Sequence, residues 1–295
     1  MKNVIKLIAA TLCLATLGSC SEPIKSTEQS YSDGLRFNES TLPYDGGILI
    51  ANFGTEELAP LNAEGKGYIA YLKDGAISTF IPAGGYLSAP KGMVVQSNYL
   101  LVCDVNRVVA FDLNDLSAAP QTLSLPEGEF FANDLASDGT NIYLTVTNSG
   151  NIYKFCAENL AQFADTDVSE PWFNVVGANG IVYSDATLYV ASYPADGVII
   201  PENVIYKISD LESPKLTAIT SEAGRWDGLA ISEDKKTLYT SSWNPLEIAS
   251  IDIASGEITP LDVETPFDGP ADITLHKGVL YIPDMPNSTV IVKEL

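Results

Sequence analysis

The chain has 295 residues and is strongly acidic, with 16 lysines and arginines against 38 aspartates and glutamates and a formal net charge of −22. A surface of this sign repels nucleic acid and anionic lipid, so it excludes nucleic-acid binding and favours cations, including metal ions, as ligands. Hydrophobic residues make up 46% of the sequence, enough for a chain of this length to bury a large core.

The N-terminus reads as an export signal followed by a lipid-attachment site. Two lysines precede an apolar run from Leu7 to Leu17, about half the ~20 residues needed to cross a bilayer. The sequence LGSC then ends at Cys20 and resembles the lipobox of bacterial lipoproteins. We predict a lipoprotein signal peptide over residues 1–19, a lipid on Cys20 as the membrane attachment, and a location in the bacterial cell envelope, periplasmic or surface-facing. The alternative is an ordinary signal peptide that leaves Cys20 as a free thiol.

The segment after the signal is polar and shows no apolar periodicity over residues 20–33, which predicts a flexible tether. Beyond it, no linker-like stretch interrupts residues 34–295. We therefore expect this region to form a single domain.

That domain is organised by a repeat of roughly 40–55 residues, a period typical of β-propellers. Each repeat begins with a polar residue and continues with a short apolar strand, a polar turn and a second strand rich in aromatic and β-branched residues. The six repeats span residues 39–53, 91–105, 133–147, 179–193, 227–242 and 272–285. Two further strand candidates follow each of the first five, so the sequence predicts an all-β, six-bladed propeller with four-stranded antiparallel blades.

The sixth repeat contains only one further strand, TVIVKEL, before Leu295. A fourth strand for this blade must come from elsewhere in the chain. We expect the segment Gly34–Asn38 to supply it, so that an N-terminal strand closes the last blade and no sheet edge stays open.

The residues that begin the six repeats are all polar: Glu39, Lys91, Asn133, Asn179, Asp227 and Asp272. The first strand of every propeller blade lines the central channel, so we expect these side chains to share one mouth. Oxygen donors dominate the set, as a hard divalent cation prefers. Alternatively, the Asn-Asp, Asn-Gly and Asp-Gly steps are turn residues around a water-filled channel.

Four motifs recur at blade spacing: Glu39 before ILIANF, Asn133-Asp134, Asn179-Gly180-Ile181 before LYVASY, and Asp227-Gly228-Leu229 before LYTSS. With these motifs the sequence resembles the regucalcin/gluconolactonase (senescence marker protein-like) family of six-bladed propellers. The resemblance covers essentially the whole chain from Glu39 onward.

The resemblance implies that Glu39, Asn179 and Asp227 bind one divalent metal ion, calcium in the first place and zinc or magnesium as alternatives. It also implies that Asn133 contacts the metal or the substrate, and we include Lys91 and Asp272 among the substrate-binding candidates. Family enzymes open sugar lactones, and Asp227 would be the catalytic residue that accepts a proton from the attacking water. The implied function is metal-dependent hydrolysis of a small cyclic ester at the cell envelope.

Two alternatives to this function stay open at the sequence level. The protein could be a non-catalytic propeller lipoprotein that binds a ligand or a partner protein, or a scaffold whose metal is only structural. Lys91 bears on the choice, because its ammonium group could pair with Glu39 or Asp272 in place of a metal, or could be a solvated charge at the rim. The arginine and other substrate-recognition residues of the lactone-opening family members have no counterpart that we can place in this sequence, so the sugar-binding side of the resemblance is missing.

Other chemistries have little support in the sequence. The single histidine, His276, lies beside a Lys-Gly turn, so a histidine dyad is excluded. Cys103 and Cys156 lie in strand-like runs of neighbouring repeats, where they form either a disulfide or, as we favour, two buried thiols. Phe131 and Trp226 come just before ring positions and are candidates for the wall of a ligand pocket.

Overall fold

Six four-stranded antiparallel sheets form a ring in the computed structural model, which describes residues 28–156 and 160–295. The predicted all-β, six-bladed propeller is therefore confirmed. The predicted signal peptide, Cys20 and the first part of the predicted tether lie outside the described residues.

The strands of the first three blades follow the chain from the channel outward. Blade one contains β2 (Asn38–Tyr44), β3 (Gly47–Asn52), β4 (Tyr68–Lys73) and β5 (Ala76–Ile81). Blade two contains β6 (Pro90–Gln96), β7 (Tyr99–Asp104), β8 (Arg107–Asp112) and β9 (Gln121–Ser124). Blade three contains β10 (Ala132–Ser137), β11 (Asn141–Val146), β12 (Asn151–Cys156) and β13 (Phe173–Asn174).

Blades four and five follow the same rule, and blade six combines strands from both ends of the described chain. Blade four contains β14 (Ala178–Ser184), β15 (Thr187–Ser192), β16 (Tyr206–Ser209) and β17 (Lys215–Ala218). Blade five contains β18 (Trp226–Ile231), β19 (Thr237–Trp243), β20 (Leu246–Asp252) and β21 (Ile258–Pro260). Blade six contains β22 (Thr274–His276), β23 (Val279–Asp284), β24 (Thr289–Glu294) and, at its outer edge, β1 (Glu28–Tyr31).

Helical structure is confined to one 3-10 helix, Leu160–Asp165, in the part of the chain that the structure describes. Within the same residues, no helix combines the length and the apolar character needed to span a bilayer.

The strand that closes the ring lies earlier in the chain than the sequence predicted. β1, Glu28–Tyr31, pairs antiparallel with β24, whereas Gly34–Asn38 crosses from the outer edge of blade six to the start of β2. Residues 28–31 therefore belong to the propeller and not to a tether. Their polar sequence, EQSY, was misleading because an outermost strand is held by backbone hydrogen bonds and needs few buried side chains.

The core consists of apolar clusters between neighbouring blades. Along β7, Leu100 and Val102 pack against blade one, while Leu101 and Cys103 pack against blade three. Because side chains alternate between the two faces of a strand, a strand covered on both faces must be apolar at nearly every position. This is why the second strand of each repeat, such as LLVC, is the strongest signal in the sequence.

The two described cysteines of the domain are both free thiols, so the preference for unpaired cysteines is confirmed. Cys103 is buried in the cluster between blades two and three, as expected. Cys156 is exposed at the end of β12, which corrects the expectation that both thiols are buried.

Candidate cation and ligand site

A bulge in the innermost strand of each of the first five blades places a polar side chain at the channel. In β2, the register of pairing with the second strand of the blade shifts at Glu39, which has no partner in the ladder. The same register shift occurs in the inner strands of the other four blades. The residues skipped there include Lys91, Asn133, Asn179 and Asp227. A bulge leaves the extra residue unpaired and re-aims its side chain, which here gives each blade one polar group at the mouth.

The glycines after two of these residues reflect the close approach of the neighbouring blade. A Cβ on Gly180 would lie 2.3 Å from the carbonyl oxygen of Asp227, and one on Gly228 would lie 2.4 Å from the backbone nitrogen of Ile273. Both glycines lie inside strands, so the Asn-Gly and Asp-Gly steps are not turn residues as the alternative supposed. The absence of a side chain lets adjacent inner strands meet at backbone distance.

Five of the six predicted ring residues line one cavity at the mouth, which we call the central cavity. Its volume is about 240 Å³. Its polar floor consists of Glu39, Lys91, Asn133, Asn179 and Asp227. Its upper wall is formed mainly by loop residues: Leu58, Pro60, Phe131, Tyr193, Ala195, Trp243 and Met285.

Four buried oxygen atoms of the floor have no hydrogen-bond partner. They are Glu39 Oε2, Asn133 Oδ1, Asn179 Oδ1 and Asp227 Oδ1. Leaving a buried polar atom unpaired costs about 1–3 kcal/mol, so native proteins rarely keep several in one place without a ligand. Two of the four residues are amides, and no group of three or more His, Cys, Asp or Glu with metal-binding geometry occurs among residues 28–156 and 160–295.

Asp227 is held in a fixed orientation by the indole of Trp243. The Trp243 Nε1–H group donates a hydrogen bond of 2.8 Å to Asp227 Oδ2, while Oδ1 has no partner. Burial raises the pKa of the Asp227 carboxyl to about 7, although the Trp243 hydrogen bond acts in the opposite direction. A carboxyl group that titrates near neutral pH can both accept and return a proton.

Glu39 lies in the same acidic environment. Burial raises the pKa of its carboxyl well above the ordinary value, and the neighbouring Asp227 and Asp134 carboxyls add to the increase. Lys91 lowers it, but not enough to offset the burial. The floor therefore concentrates carboxyl groups that a bound cation would stabilise in their ionised form.

Lys91 is neither a solvated rim charge nor an ion-pair partner of Glu39 or Asp272. It is 1% exposed, and no ion pair of the described residues includes it. Its ammonium group donates to the carbonyl oxygens of Pro60, at 2.8 Å, and Ala89, at 3.0 Å. Burial lowers the pKa of Lys91.

The Lys91 ammonium group also lies near the faces of two aromatic rings. It lies 5.2 Å from the ring centroid of Phe53 and 5.2 Å from that of Phe131. Such contacts stabilise a cation by about 0.5–2 kcal/mol each. Lys91 thus anchors the β3–β4 loop at the mouth while its charge stays beside the cavity floor.

The remaining motif residues hold the blades together. Asp134 Oδ2 accepts a hydrogen bond from the Ile181 backbone N–H, which ties blade three to blade four. Asp272 is buried but is not among the residues that line the central cavity, and its Oδ2 accepts a hydrogen bond from Ser40. The structure thus brings together Glu39, Lys91 and the three other floor residues, and places Asp272 against blade one instead.

Sequence reasoning found the floor of the cavity but only part of its wall. Phe131 lines the cavity as predicted, whereas Trp226 is fully buried between blades four and five. Trp243, Tyr193 and Met285 were missed, because they lie at the ends of second strands or in the loops that follow, where no repeated motif marks them. His276 is not among the lining residues.

No protein-family model and no curated protein matches the chain. Solved structures do match. A gluconolactonase from Xanthomonas campestris aligns with a TM-score of 0.66 and 14% identity, over 92% of this chain and 90% of that chain.

Two other similar structures belong to proteins with different roles. A catalytically inactive histidine-to-alanine variant of virginiamycin B lyase from Staphylococcus aureus, with quinupristin, gives a TM-score of 0.58 and 14% identity, over 92% of this chain and 100% of that chain. A chain of a nidogen/laminin complex gives a TM-score of 0.61 and 15% identity, over 86% of this chain and 87% of that chain. At these identities the likeness shows the six-bladed β-propeller fold.

Proposed function

We propose that this protein is a divalent-cation-dependent hydrolase that opens a small cyclic ester at the bacterial cell envelope. The observation that carries the proposal is the set of four unpartnered buried oxygens on the floor of the central cavity. The gluconolactonase among the similar structures supports the reaction class, and sugar lactones are the substrates that the family resemblance implies.

The floor fits a hard cation better than it fits any other ligand class. Glu39 and Asp227 supply carboxylate oxygens, and Asn133 and Asn179 supply amide oxygens, with no imidazole or thiolate among the lining residues. Calcium prefers this donor set and takes six to eight oxygen ligands, so four protein oxygens leave positions for water or substrate. Zinc prefers nitrogen and sulfur donors, so calcium is the first choice, with magnesium next.

When bound, the cation would polarise the ester carbonyl and acidify a water molecule. Asp227 is the residue that we assign to proton transfer, because it lines the central cavity and Trp243 binds one of its oxygens while the other has no hydrogen-bond partner. Its pKa near 7 suits a general base at neutral pH. The apolar wall limits the access of water around the substrate and so strengthens these electrostatic interactions.

The lyase among the similar structures offers a different chemistry, which this site does not support. Its inactive variant lacks a histidine, whereas the single histidine of this chain, His276, ends β22 and does not line the central cavity. A reaction that depends on an imidazole at the mouth therefore has no residue to perform it.

The test combines metal analysis with turnover by the purified protein. We expect one equivalent of calcium, and hydrolysis of glucono- or alkyl-substituted lactones that a chelator abolishes and added calcium restores. Asp227→Asn should lower turnover by about 10²–10⁴-fold without rescue by calcium, because it removes the proton acceptor. Asn179→Ala removes only a ligand oxygen, so excess calcium should restore part of its activity.

Two outcomes would contradict the proposal in different ways. Protein that binds calcium but hydrolyses no ester would be a ligand-binding propeller and not an enzyme. Protein that holds no divalent ion, with ligand binding unchanged in Asp227→Asn, would remove the basis for the site itself. The envelope location is tested separately, since Cys20→Ser should release the protein from the membrane fraction.

A further inference from the structure

A second cavity lies next to the central one, and we call it the side cavity. Its volume is about 270 Å³, and it lies between the start of blade four and the β15–β16 loop. Ala195 lines both cavities, and its small side chain is exposed between them. The two cavities therefore adjoin at the mouth of the channel.

The side cavity presents apolar side chains, while most of its polar side chains make hydrogen bonds within the protein. Val176, Val198 and Ile200 line it, and all three are exposed. The Thr147 hydroxyl donates to the carbonyl oxygen of Ala178. These features contrast with the floor of the central cavity, where polar atoms lack partners.

Two other polar lining residues are paired in the same way. Asn203 donates through its side-chain amide to the hydroxyl of Ser192 and accepts a hydrogen bond from the Ile200 N–H. Asp196 Oδ1 accepts a hydrogen bond from the Val198 N–H. Few polar groups are therefore left in the side cavity to recognise the hydroxyl groups of a sugar.

Hydrogen bonds hold the β15–β16 loop in this conformation. The Gly197 N–H donates to the carbonyl oxygen of Pro194 at 2.8 Å, and the carbonyl oxygen of Gly197 accepts a hydrogen bond of 2.6 Å from Arg225 Nη2. Together with the Asn203 bonds, these contacts fix the loop at both ends and in the middle. The exposed Val198 and Ile200 are thus part of a preformed surface, which lowers the entropic cost of binding an apolar group.

Exposed apolar side chains are also concentrated around the rest of the mouth. Of the eleven large apolar side chains exposed among residues 28–156 and 160–295, eight lie in loops or at strand ends on the mouth side. An exposed apolar surface concentrated around a cavity typically marks a binding site.

We infer that the substrate is an amphipathic ester, whose polar ring binds over the floor of the central cavity and whose apolar substituent passes Ala195 into the side cavity. This inference rests on the proposed function, because the cation site locates the polar end of the substrate. It narrows the substrate class from cyclic esters in general to those with an alkyl or aryl substituent, and away from polyhydroxylated sugar lactones.

The first test measures binding without turnover, using two five-membered lactams that differ only in carrying a methyl or a heptyl substituent. Lactams resist hydrolysis, so calorimetry on the calcium-loaded protein reports affinity alone. Each buried methylene contributes roughly fourfold in affinity. Because the heptyl group need not be buried along its full length, we expect the heptyl lactam to bind at least about tenfold more tightly than the methyl lactam. Equal affinities, or no binding of either lactam, would overturn the inference.

Matched variants test whether the side cavity causes the tighter binding of the heptyl lactam. Ile200→Asn and Val198→Asn should each reduce the heptyl-to-methyl affinity ratio by about threefold or more. Leu116→Asn is the control, since Leu116 is 42% exposed, close to the 39% of Ile200, but lies in the β8–β9 loop at the opposite end of the ring. A ratio that stays the same in the Ile200 and Val198 variants would show non-specific adsorption and overturn the inference.

The second test measures turnover of lactones with the same two substituents and of gluconolactone. We expect the heptyl lactone to have the highest kcat/KM and gluconolactone the lowest. Hydrolysis of gluconolactone in preference to the heptyl lactone would contradict the inference while leaving the proposed hydrolase intact. If no lactone is hydrolysed but the heptyl lactam still binds more tightly than the methyl lactam, the proposed hydrolase function is contradicted and the apolar subsite is supported.

Discussion

At the scale of single residues, Lys91 and the four unpartnered oxygens form one electrostatic unit. Lys91 carries a buried positive charge beside the floor, and its contacts are carbonyl oxygens and aromatic rings. Its charge lowers the pKa of both Glu39 and Asp227. Lys91 therefore keeps the carboxyl groups more ionised, but it also repels an incoming cation.

We predict that Lys91→Met binds calcium about tenfold more tightly and melts at a lower temperature. Removing a unit charge near the site is worth a kcal/mol or more at an effective dielectric constant of about 20, which favours the cation. The loss of two hydrogen bonds to buried carbonyl oxygens costs stability at the same time. Calcium titration by calorimetry and thermal melts of the calcium-free protein measure the two effects.

Lys66→Met is the matched control for this prediction. Lys66 lies in the β3–β4 loop at the same end of the ring, but its side chain is 48% exposed and pairs with Glu64. Solvent screens such a charge, so calcium affinity should change by less than about twofold. Equal effects of the two substitutions would show that net charge, and not the buried position of Lys91, governs cation binding.

At the scale of the strand, the glycines after Asn179 and Asp227 set the spacing between neighbouring blades. We predict that Gly180→Ala lowers the free energy of unfolding by about 2–3 kcal/mol and weakens calcium binding, because its Cβ would overlap the backbone of β18 at Asp227. Gly84→Ala is the control, since its Cβ would meet only ordinary contacts at 3.7 Å or more. Denaturant unfolding and calcium titration distinguish the two, and a fully stable Gly180→Ala variant would contradict the close approach.

The features that could be predicted from the sequence are those that recur in every blade, because only these leave a repeated pattern. The second strand is largely buried in every blade, so its apolar run recurs along the chain and reveals six repeats. The floor residues of the first five blades occupy the same position in that pattern, which is why Glu39, Asn179 and Asp227 could be found. The residues of the cavity wall could not be found from the sequence, because Trp243 and Tyr193 lie where the blades differ in loop length and conformation.

At the scale of the whole molecule, the ring closes through an ion pair between its two ends. Lys293 in β24 donates a hydrogen bond of 2.9 Å to Glu28 in β1, and the side chains are only 10% and 5% exposed. The Glu28 carboxylate also accepts hydrogen bonds from the backbone N–H groups of Glu264 and Thr265. A polar strand of four residues can therefore close the ring, because one of its side chains binds both the last strand and the loop before blade six.

We predict that Glu28→Gln lowers the free energy of unfolding by about 2–3 kcal/mol at neutral pH, since it removes the buried negative charge that pairs with the Lys293 ammonium group. Burial alone would raise the pKa of Glu28, but the hydrogen bonds from Lys293, Glu264 and Thr265 outweigh it and lower the pKa below 4.5. A carboxyl with a lowered pKa in the folded state stabilises the protein fully above its unfolded-state pKa. That stabilisation is lost as the pH falls through the folded-state pKa.

The wild-type protein and Glu28→Gln should therefore differ in melting temperature above about pH 4.5 and converge below it. Ser30→Ala, on the exposed part of the same strand, should match the wild type at every pH. Because β1 is the outer strand of blade six, loss of the ion pair should first release that strand and expose the backbone of β24. Hydrogen exchange at Val290 and Val292 should then accelerate in Glu28→Gln ahead of exchange in the other blades, and uniform acceleration around the ring would contradict closure by this contact.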